Sequence, residues 1–443
     1  MRGVTSTITP DVFFVYPPFE NPPLVGGRYC TSPPLGTAYV AAVLEEKGFC
    51  VEVTDCNVGE VDVEELAQRI ISSGAGILGI SVTSPGLRFS KRLIDELRAK
   101  SGGNCPKIVC GGAHISADIK SSMLLGADTY FRGESEYCFA EYCAGQTQST
   151  GVIECGLIED INTVPYPARH LFKGKYRFTA VSASRGCPFN CIFCGMANTR
   201  YRKRTPQNIK GEIEQLRSQK IKAIDFVDDS FTIDRPFTRE ISEIMSSNRL
   251  RWSCTTRADL VDRQLLSEMR KSGCTHISFG VESKDEGIRQ ILGKNISNRQ
   301  YEKVFRWCKD EGIKTRAYAI VGTPFGENPQ ETFEYINTLD PDEAVYSPLI
   351  LYPNTEAFRK AVYEGVISED IWCRYLMGEV PLPTYLGQGH TLESINKSIY
   401  DESEQFYLSP KRIWKRMKAA QSTQEVLDAF KAAAIYLTKP IIH

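Results

Sequence analysis

Arg185-Gly186-Cys187-Pro188-Phe189-Asn190-Cys191-Ile192-Phe193-Cys194 places three thiols four and then three residues apart. The stretch follows a β-rich run at 178–184, so the thiols sit on a loop leaving the C-terminal end of a strand. Three closely spaced thiolates can hold three irons of a cubane cluster, leaving the fourth iron without a protein ligand and open to a small molecule. A structural zinc site would want a fourth ligand in finger-like spacing. The nearest downstream candidates, Cys254 and His276, fall on separate predicted strands. Ordinary buried thiols are the bland alternative.

Downstream, short apolar runs alternate with stretches of helical periodicity. Strands are expected at 178–184, 223–227, 252–256, 276–281, 316–321 and 343–349. Helices are expected at 206–218, 237–246, 262–272, 285–292, 298–311 and 329–339. Six such repeats predict an open, partial (β/α)6 barrel over residues 176–352, with its chemistry at the strand C-termini. Upstream, strands at 12–16, 51–55, 77–83, 107–110 and 129–132 alternate with helices at 35–47, 64–73 and 90–100. That pattern predicts a doubly wound, Rossmann-like α/β domain over residues 1–150. The polar stretch 151–175, with Pro165 and Pro167, reads as a linker. Residues 353–443 read as a mainly helical C-terminal extension that closes or caps the barrel, with helical patches at 410–419 and 424–434.

The chain has 443 residues, enough for two substantial lobes. Its 53 Lys and Arg against 54 Asp and Glu give a net charge of -1, so no global basic field favours nucleic acid as a partner. Residues 1–10 lack a charged leader with a long apolar core, and no run approaches the roughly 18 apolar residues of a membrane span. A cytoplasmic protein is expected. Fifteen cysteines in a chain too long to need disulfide stapling favour metal or redox chemistry. Apart from the triplet, Cys30, Cys50, Cys56, Cys105, Cys110, Cys138, Cys143, Cys155, Cys254, Cys274, Cys308 and Cys373 show no ligand-like grouping and read as core filler. His276 likewise reads as a packed core histidine.

A cysteine triplet in this spacing after the first strand of a six-fold barrel resembles the radical S-adenosylmethionine superfamily. The resemblance implies a [4Fe-4S] cluster whose open iron chelates the amino and carboxylate groups of S-adenosylmethionine, and reductive cleavage to a 5'-deoxyadenosyl radical. It places Phe193, just before the last cysteine, beside the adenine. The second strand ends in Asp228-Asp229 where the family commonly carries Gly-Gly-Glu. Either carboxylate suits an ammonium group, and either could instead cap the next helix. Arg257, after the third strand, could fork onto the cofactor carboxylate or form a surface ion pair. Gly280-Val281-Glu282-Ser283 resembles the family's Gly-x-Glu-Ser signature, which implies that Glu282 and Ser283 meet the methionyl and ribose groups. An ion pair is the alternative for Glu282. Val321-Gly322 resembles the adenine-side turn. Tyr318 and Tyr346 could face the pocket or simply pack, and no catalytic acid or base is assigned.

The front domain resembles the cobalamin-binding domain that precedes the barrel in one large branch of this superfamily. Ligands of a doubly wound sheet lie beyond the strand C-termini. The cobalamin candidates are therefore Ser81, Thr83, Gly111, Gly112, His114, Gly133 and Glu134. The Asp-x-His-x-x-Gly run that ligates cobalt from below does not occur, so His114 is expected to line the pocket or hold the loop. The resemblance implies cobalamin-dependent methyl transfer to an unactivated carbon of a small-molecule substrate, with an electron donor such as flavodoxin or ferredoxin. The alternatives are a cobalamin-independent radical dehydratase, cyclase or rearrangement enzyme, and a zinc-stabilised binding module. An iron-sulfur electron carrier is disfavoured, because three thiols without a fourth leave an exchangeable iron.

Overall fold

The computed structural model describes residues 9–20, 32–59, 61–146, 150–174, 176 and 178–419. The expected patch at 424–434, residues 1–8 of the N-terminus and Cys30 lie outside the described residues.

The front domain runs β1 (Val12–Tyr16), α1 (Leu35–Glu46), β2 (Val51–Asp55), α2 (Val63–Ser73), β3 (Ile77–Ser81), α3 (Leu87–Lys100), β4 (Lys107–Gly111), α4 (Ala113–Ala117), α5 (Ile119–Met123), β5 (Thr129–Arg132), α6 (Glu136–Cys143) and β6 (Gly151–Glu154). Its strands pair in parallel in the order β2-β1-β3-β4-β5-β6. β1 is buried on both faces, which is why it reads as an unbroken apolar run rather than an alternating one. α2 starts where the Asp62 side chain accepts the Glu65 N–H at 2.9 Å, and it ends at Gly74 with φ +71°. The strand β6 is a correction: the stretch read as linker begins with a sixth strand beside β5. Its four residues alternate in exposure at the sheet edge and carry only two apolar side chains, too few for a periodic signal.

The second sheet is β14-β13-β12-β11-β10-β7, all parallel. Its elements are β7 (Thr179–Val181), α7 (Pro206–Ser218), β10 (Ala223–Phe226), α8 (Arg235–Asn248), β11 (Arg251–Thr256), α9 (Arg263–Lys271), β12 (Cys274–Glu282), α10 (Glu286–Ile291), α11 (Asn298–Glu311), β13 (Lys314–Ile320), α12 (Pro329–Leu339) and β14 (Glu343–Ser347). The expected first strand is shorter than its apolar run. After Val181 the chain leaves the sheet and forms an antiparallel pair, β8 (Ser184–Arg185) with β9 (Arg202–Lys203). One set of alternating strand residues, including Phe226, Trp252, Cys254, Ile277, Phe279 and Tyr346, packs under the helices. Tyr346 is therefore packing, its ring 4.9 Å from that of Phe333 on α12. The other set, Asp225, Ser253, His276, Ser278, Arg316, Tyr318 and Glu343, forms the inner face. There Ser253 donates to Asp225 at 2.6 Å and Arg316 to Glu343 at 2.6 Å.

The extension divides between the two lobes. α13 (Glu356–Tyr363) leads to α14 (Ile371–Leu376), and then α15 (Leu392–Leu408) and α16 (Pro410–Ala419) follow. α15 covers the β14 edge, where the Tyr407 hydroxyl bonds the backbone of Ala344. α14 instead inserts Ile371, Trp372, Tyr375 and Leu376 into the apolar core of the front domain. Arg88 fixes it there, donating to the carbonyls of Tyr375 and Val380 at 2.8 and 2.9 Å. The expected capping of the barrel is thus the work of α15, while α14 adds a role in the front domain that the expectation did not include. Among the described residues no helix is long and apolar enough to cross a membrane.

Candidate active site at the barrel mouth

The loop between β8 and β9 carries Cys187, Cys191 and Cys194, all half-buried and free of disulfides. Gly186 opens it at φ +87°, where a Cβ would stand 2.2 Å from the Arg200 carbonyl oxygen, so only glycine fits. Thr199 closes it, its hydroxyl accepting the Cys187 N–H at 2.9 Å. The Cys194 sulfur accepts the Met196 N–H at 3.4 Å. Burial pushes all three thiols up, and each thiol lies in the field of at least one of the others or of Asp229, Arg257 or Lys294. A metal centre bound here therefore displaces protons. Cys254, weighed as a fourth ligand, is buried under the helices. Among the described residues no three His, Cys, Asp or Glu side chains are grouped to hold a single metal ion.

The strand ends separate the expected cofactor residues into two classes. Asp228 is buried and accepts the Ala183 N–H at 3.1 Å and the Ser184 hydroxyl, so it ties β10 to the root of the cysteine loop. Burial raises its carboxyl to about 6. Asp229 lies at the surface, accepts the Gly186 N–H, and acts on Cys187 and Cys194. Of the adjacent pair, Asp229 is the one that faces the loop. Arg257 is forked onto Asp259 at 3.0 and 2.8 Å, stacks 4.1 Å over Phe189, and points Nη1 at the Cys191 sulfur. Glu282 sits at φ +66°, an uncommon conformation for a residue with a Cβ, and forms a buried ion pair with Lys294 at 2.7 Å. Both groups act on Cys191.

Ser283 is turned away, fully buried against Thr332 and the Asp285 N–H. Val321 is also fully buried, and Gly322, at φ +74°, is covered by Ile395 of α15. Phe193 is partly buried against the apolar cluster that contains Ile192, Leu292 and Ile320. Sequence reasoning missed Lys294 and Gly293, which belong to no motif. Gly293 presses so closely on the loop that a Cβ would lie 2.3 Å from the Asn190 carbonyl oxygen.

In the front domain, the order in which strands are added reverses between β1 and β3, the switch point where ligands of such sheets bind. Thr83 lies just beyond β3, and its hydroxyl is buried with no hydrogen-bond partner among the described residues. A cavity of about 230 Å³ joins the strand ends of both sheets, lined by Tyr16, Phe19, Leu35 and Asn57 on one side and by Ala180 and Val227 on the other. His114 faces inward: Nδ1 is 2.8 Å from the Ser84 hydroxyl, Nε2 is 2.9 Å from that of Ser121, and its ring meets Trp372 edge-on. Gly112, at φ +105°, lies against the backbone of Val82. Ser81 and Gly111 are paired neighbours at the ends of β3 and β4. Gly133 is crowded by the Cys155 carbonyl, and Glu134 is committed to Arg202. Cys138 and Cys155, read as core filler, form a disulfide.

Comparison with known proteins accords with this geometry. Residues 181–339 match the radical SAM superfamily model and residues 24–142 match the B12 binding domain model, together more than half of the chain. The chain thus carries a radical S-adenosylmethionine domain preceded by a B12-binding domain. A relative from Pyrococcus horikoshii, "Uncharacterized methyltransferase PH0819", is 26% identical over 90% of this chain and 93% of its own length. The anaerobic magnesium-protoporphyrin IX monomethyl ester cyclase of Rubrivivax gelatinosus is 25% identical over 79% of this chain and 69% of its own. The solved structure of the cobalamin-dependent S-adenosylmethionine radical enzyme OxsB, with aqua-cobalamin and S-adenosylmethionine bound, aligns with a TM-score of 0.65 at 15% identity. It covers 97% of this chain and 72% of that one, a likeness of fold.

The cofactors of this radical S-adenosylmethionine enzyme are a [4Fe-4S] cluster, S-adenosylmethionine and cobalamin, and the residues present fit them. Three free thiols on one loop are the donor set of a cluster with one open iron. The orphaned Thr83 hydroxyl at the switch point supplies a polar contact for a ligand of the front domain.

Proposed function

We propose that the protein catalyses cobalamin-dependent radical methyl transfer to an unactivated carbon of a small molecule. One observation carries the reading: the ends of β1 and β2 in the front sheet share a cavity with Ala180 of β7 and Val227 just beyond β10 in the second sheet, so the lobes that would hold the two cofactors open toward each other. When bound, the cluster with S-adenosylmethionine would supply hydrogen-abstracting radical chemistry, and cobalamin would supply a transferable methyl group. Cys187, Cys191 and Cys194 hold the cluster. Asp229 takes the ammonium of S-adenosylmethionine, Arg257 and Lys294 offer cations to its carboxylate, and Phe193 lies along the adenine. Asp228 acts on the cofactor only by shaping the loop. A cytoplasmic enzyme reduced by a flavodoxin- or ferredoxin-type donor completes the reading.

Full-length protein reconstituted anaerobically with iron and sulfide is expected to give a four-iron signal by electron paramagnetic resonance and to release 5'-deoxyadenosine. It should bind cobalamin in an absorbance titration, and product should gain the mass of one methyl group. Absence of cluster and cleavage together overturns the assignment. The cyclase relative favours a second reading, a radical cyclase without methyl transfer. Product with no mass gain would select it.

A further inference from the structure

We propose that Glu134 of the front domain is a positioning residue that clasps the neck of the cysteine loop. The β8–β9 pairing sets Arg185 directly opposite Arg202, one at each end of the segment that carries all three thiols. Two guanidinium groups so placed repel, and an uncompensated neck would splay. The countercharge comes from the other lobe. Arg202 forks onto Glu134 at 2.6 and 2.7 Å, Arg185 reaches the same carboxylate at 3.3 Å, and Glu136 takes the far side of Arg185 at 2.7 Å.

The pair is well shielded, with the Arg202 side chain 9% and the Glu134 side chain 17% exposed. The arginine hydrogen bonds hold the Glu134 carboxyl below its usual range against the opposing effect of burial. A rigid frame fixes that carboxylate. Glu134 also accepts the Ile158 N–H at 2.7 Å, while Arg202 donates to the Ile158 carbonyl at 2.6 Å. The preceding Gly133 donates to Ser116 at 3.1 Å, and the Cys138–Cys155 disulfide joins the two segments that bear Glu134 and Ile158. Cys187 lies only two residues beyond Arg185, so the register of the neck sets where the first thiol stands. Glu134, expected at the cobalamin, serves the cluster side of the junction. The proposal rests on the reading of the three cysteines as cluster ligands, not on the cobalamin reading.

The test compares wild type with Glu134→Gln, which keeps shape but loses the charge, and Arg202→Lys, which keeps the charge but loses the fork. On metal-free full-length protein, trypsin cleavage at the exposed Arg200 is expected to quicken roughly tenfold in both variants, the scale of one lost charge-assisted pair. After reconstitution, both should show an altered cluster signal in the presence of S-adenosylmethionine and a several-fold higher KM for its cleavage, with cobalamin titration unchanged. Wild-type proteolysis and an unaltered signal would overturn the proposal. So would loss of cobalamin binding with the loop undisturbed, which would return Glu134 to the cobalamin. If one variant fails to fold, the other decides. Wild-type protein that takes up no cluster sinks the cluster reading, while proteolysis still judges the clasp.

Discussion

The Arg257 guanidinium stands 3.9 Å from the Cys191 sulfur, while the Asp229 carboxylate acts on Cys187 and Cys194. The loop is thus flanked by a guanidinium and a carboxylate, group types that suit an α-amino acid's carboxylate and ammonium. Arg257 is held in place by its fork onto Asp259 and its stacking on Phe189.

Arg257→Lys keeps the charge and loses the planar fork. Iron content should stay at the wild-type level, while KM for S-adenosylmethionine rises about tenfold, the size of one charge-assisted contact. Asp229→Asn should act in the same direction. Following 5'-deoxyadenosine against cofactor concentration checks both, and an unchanged KM removes either residue from the site.

Alanine at Cys187, Cys191 or Cys194 is expected to abolish cluster uptake and cofactor cleavage. Cys254→Ala is the control, since that thiol is buried under the helices and should leave iron content unchanged. Iron and sulfide analysis of the four variants separates ligands from filler.

The Cys138–Cys155 bridge closes a loop with a sequence separation of 17. Cys155→Ser is expected to lower unfolding free energy by about 3 kcal/mol, read from denaturant melts of oxidised protein. Reduction of wild type with dithiothreitol should reproduce the loss, and thiol labelling should show two additional reactive cysteines.

Buried neutral between Ser84 and Ser121, His114 has its pKa pushed from 6.5 down to about 4, chiefly by burial, with Asp118 pulling the other way. Ser121 donates to Asp118 at 2.7 Å, so it accepts from His114 Nε2–H, and Nδ1 accepts from Ser84. Between pH 6.5 and 4 the unfolded chain binds a proton that the native chain refuses, so stability falls on acidification across that window. The contribution is about 3 kcal/mol. Denaturant melts of His114→Gln should be flatter over the same window, and an identical pH slope would refute the assignment.

Trp372→Ala should cost about 3–5 kcal/mol as a fully buried aromatic. Hydrogen exchange is expected to quicken in α3 and α5 of the front domain more than in the barrel strands. Exchange confined to the barrel would place α14 with the wrong lobe.

Legibility followed the range of the physics. β1 was readable because a central parallel strand is densely apolar, and β2 and the barrel strands because their short-range periodicity is local. β6 was not, since an edge strand of four residues is defined by its partner, Thr129–Arg132, rather than by its own pattern. α15 escaped because its buried positions Ile395, Ile399, Phe406 and Tyr407 are spread among polar residues, and only β14 reveals the face they make.

The order of residues by itself determined that three thiols share one short loop at a strand end and that two runs of alternating elements make two parallel sheets. Both follow from covalent spacing and short-range periodicity. The tertiary structure alone decided which of Asp228 and Asp229 meets the loop, that His114 turns inward to Trp372, and that Glu134 grips Arg202. Each of these is a choice of partner among residues distant in the chain, settled by which buried charge or polar group finds its complement once the lobes pack.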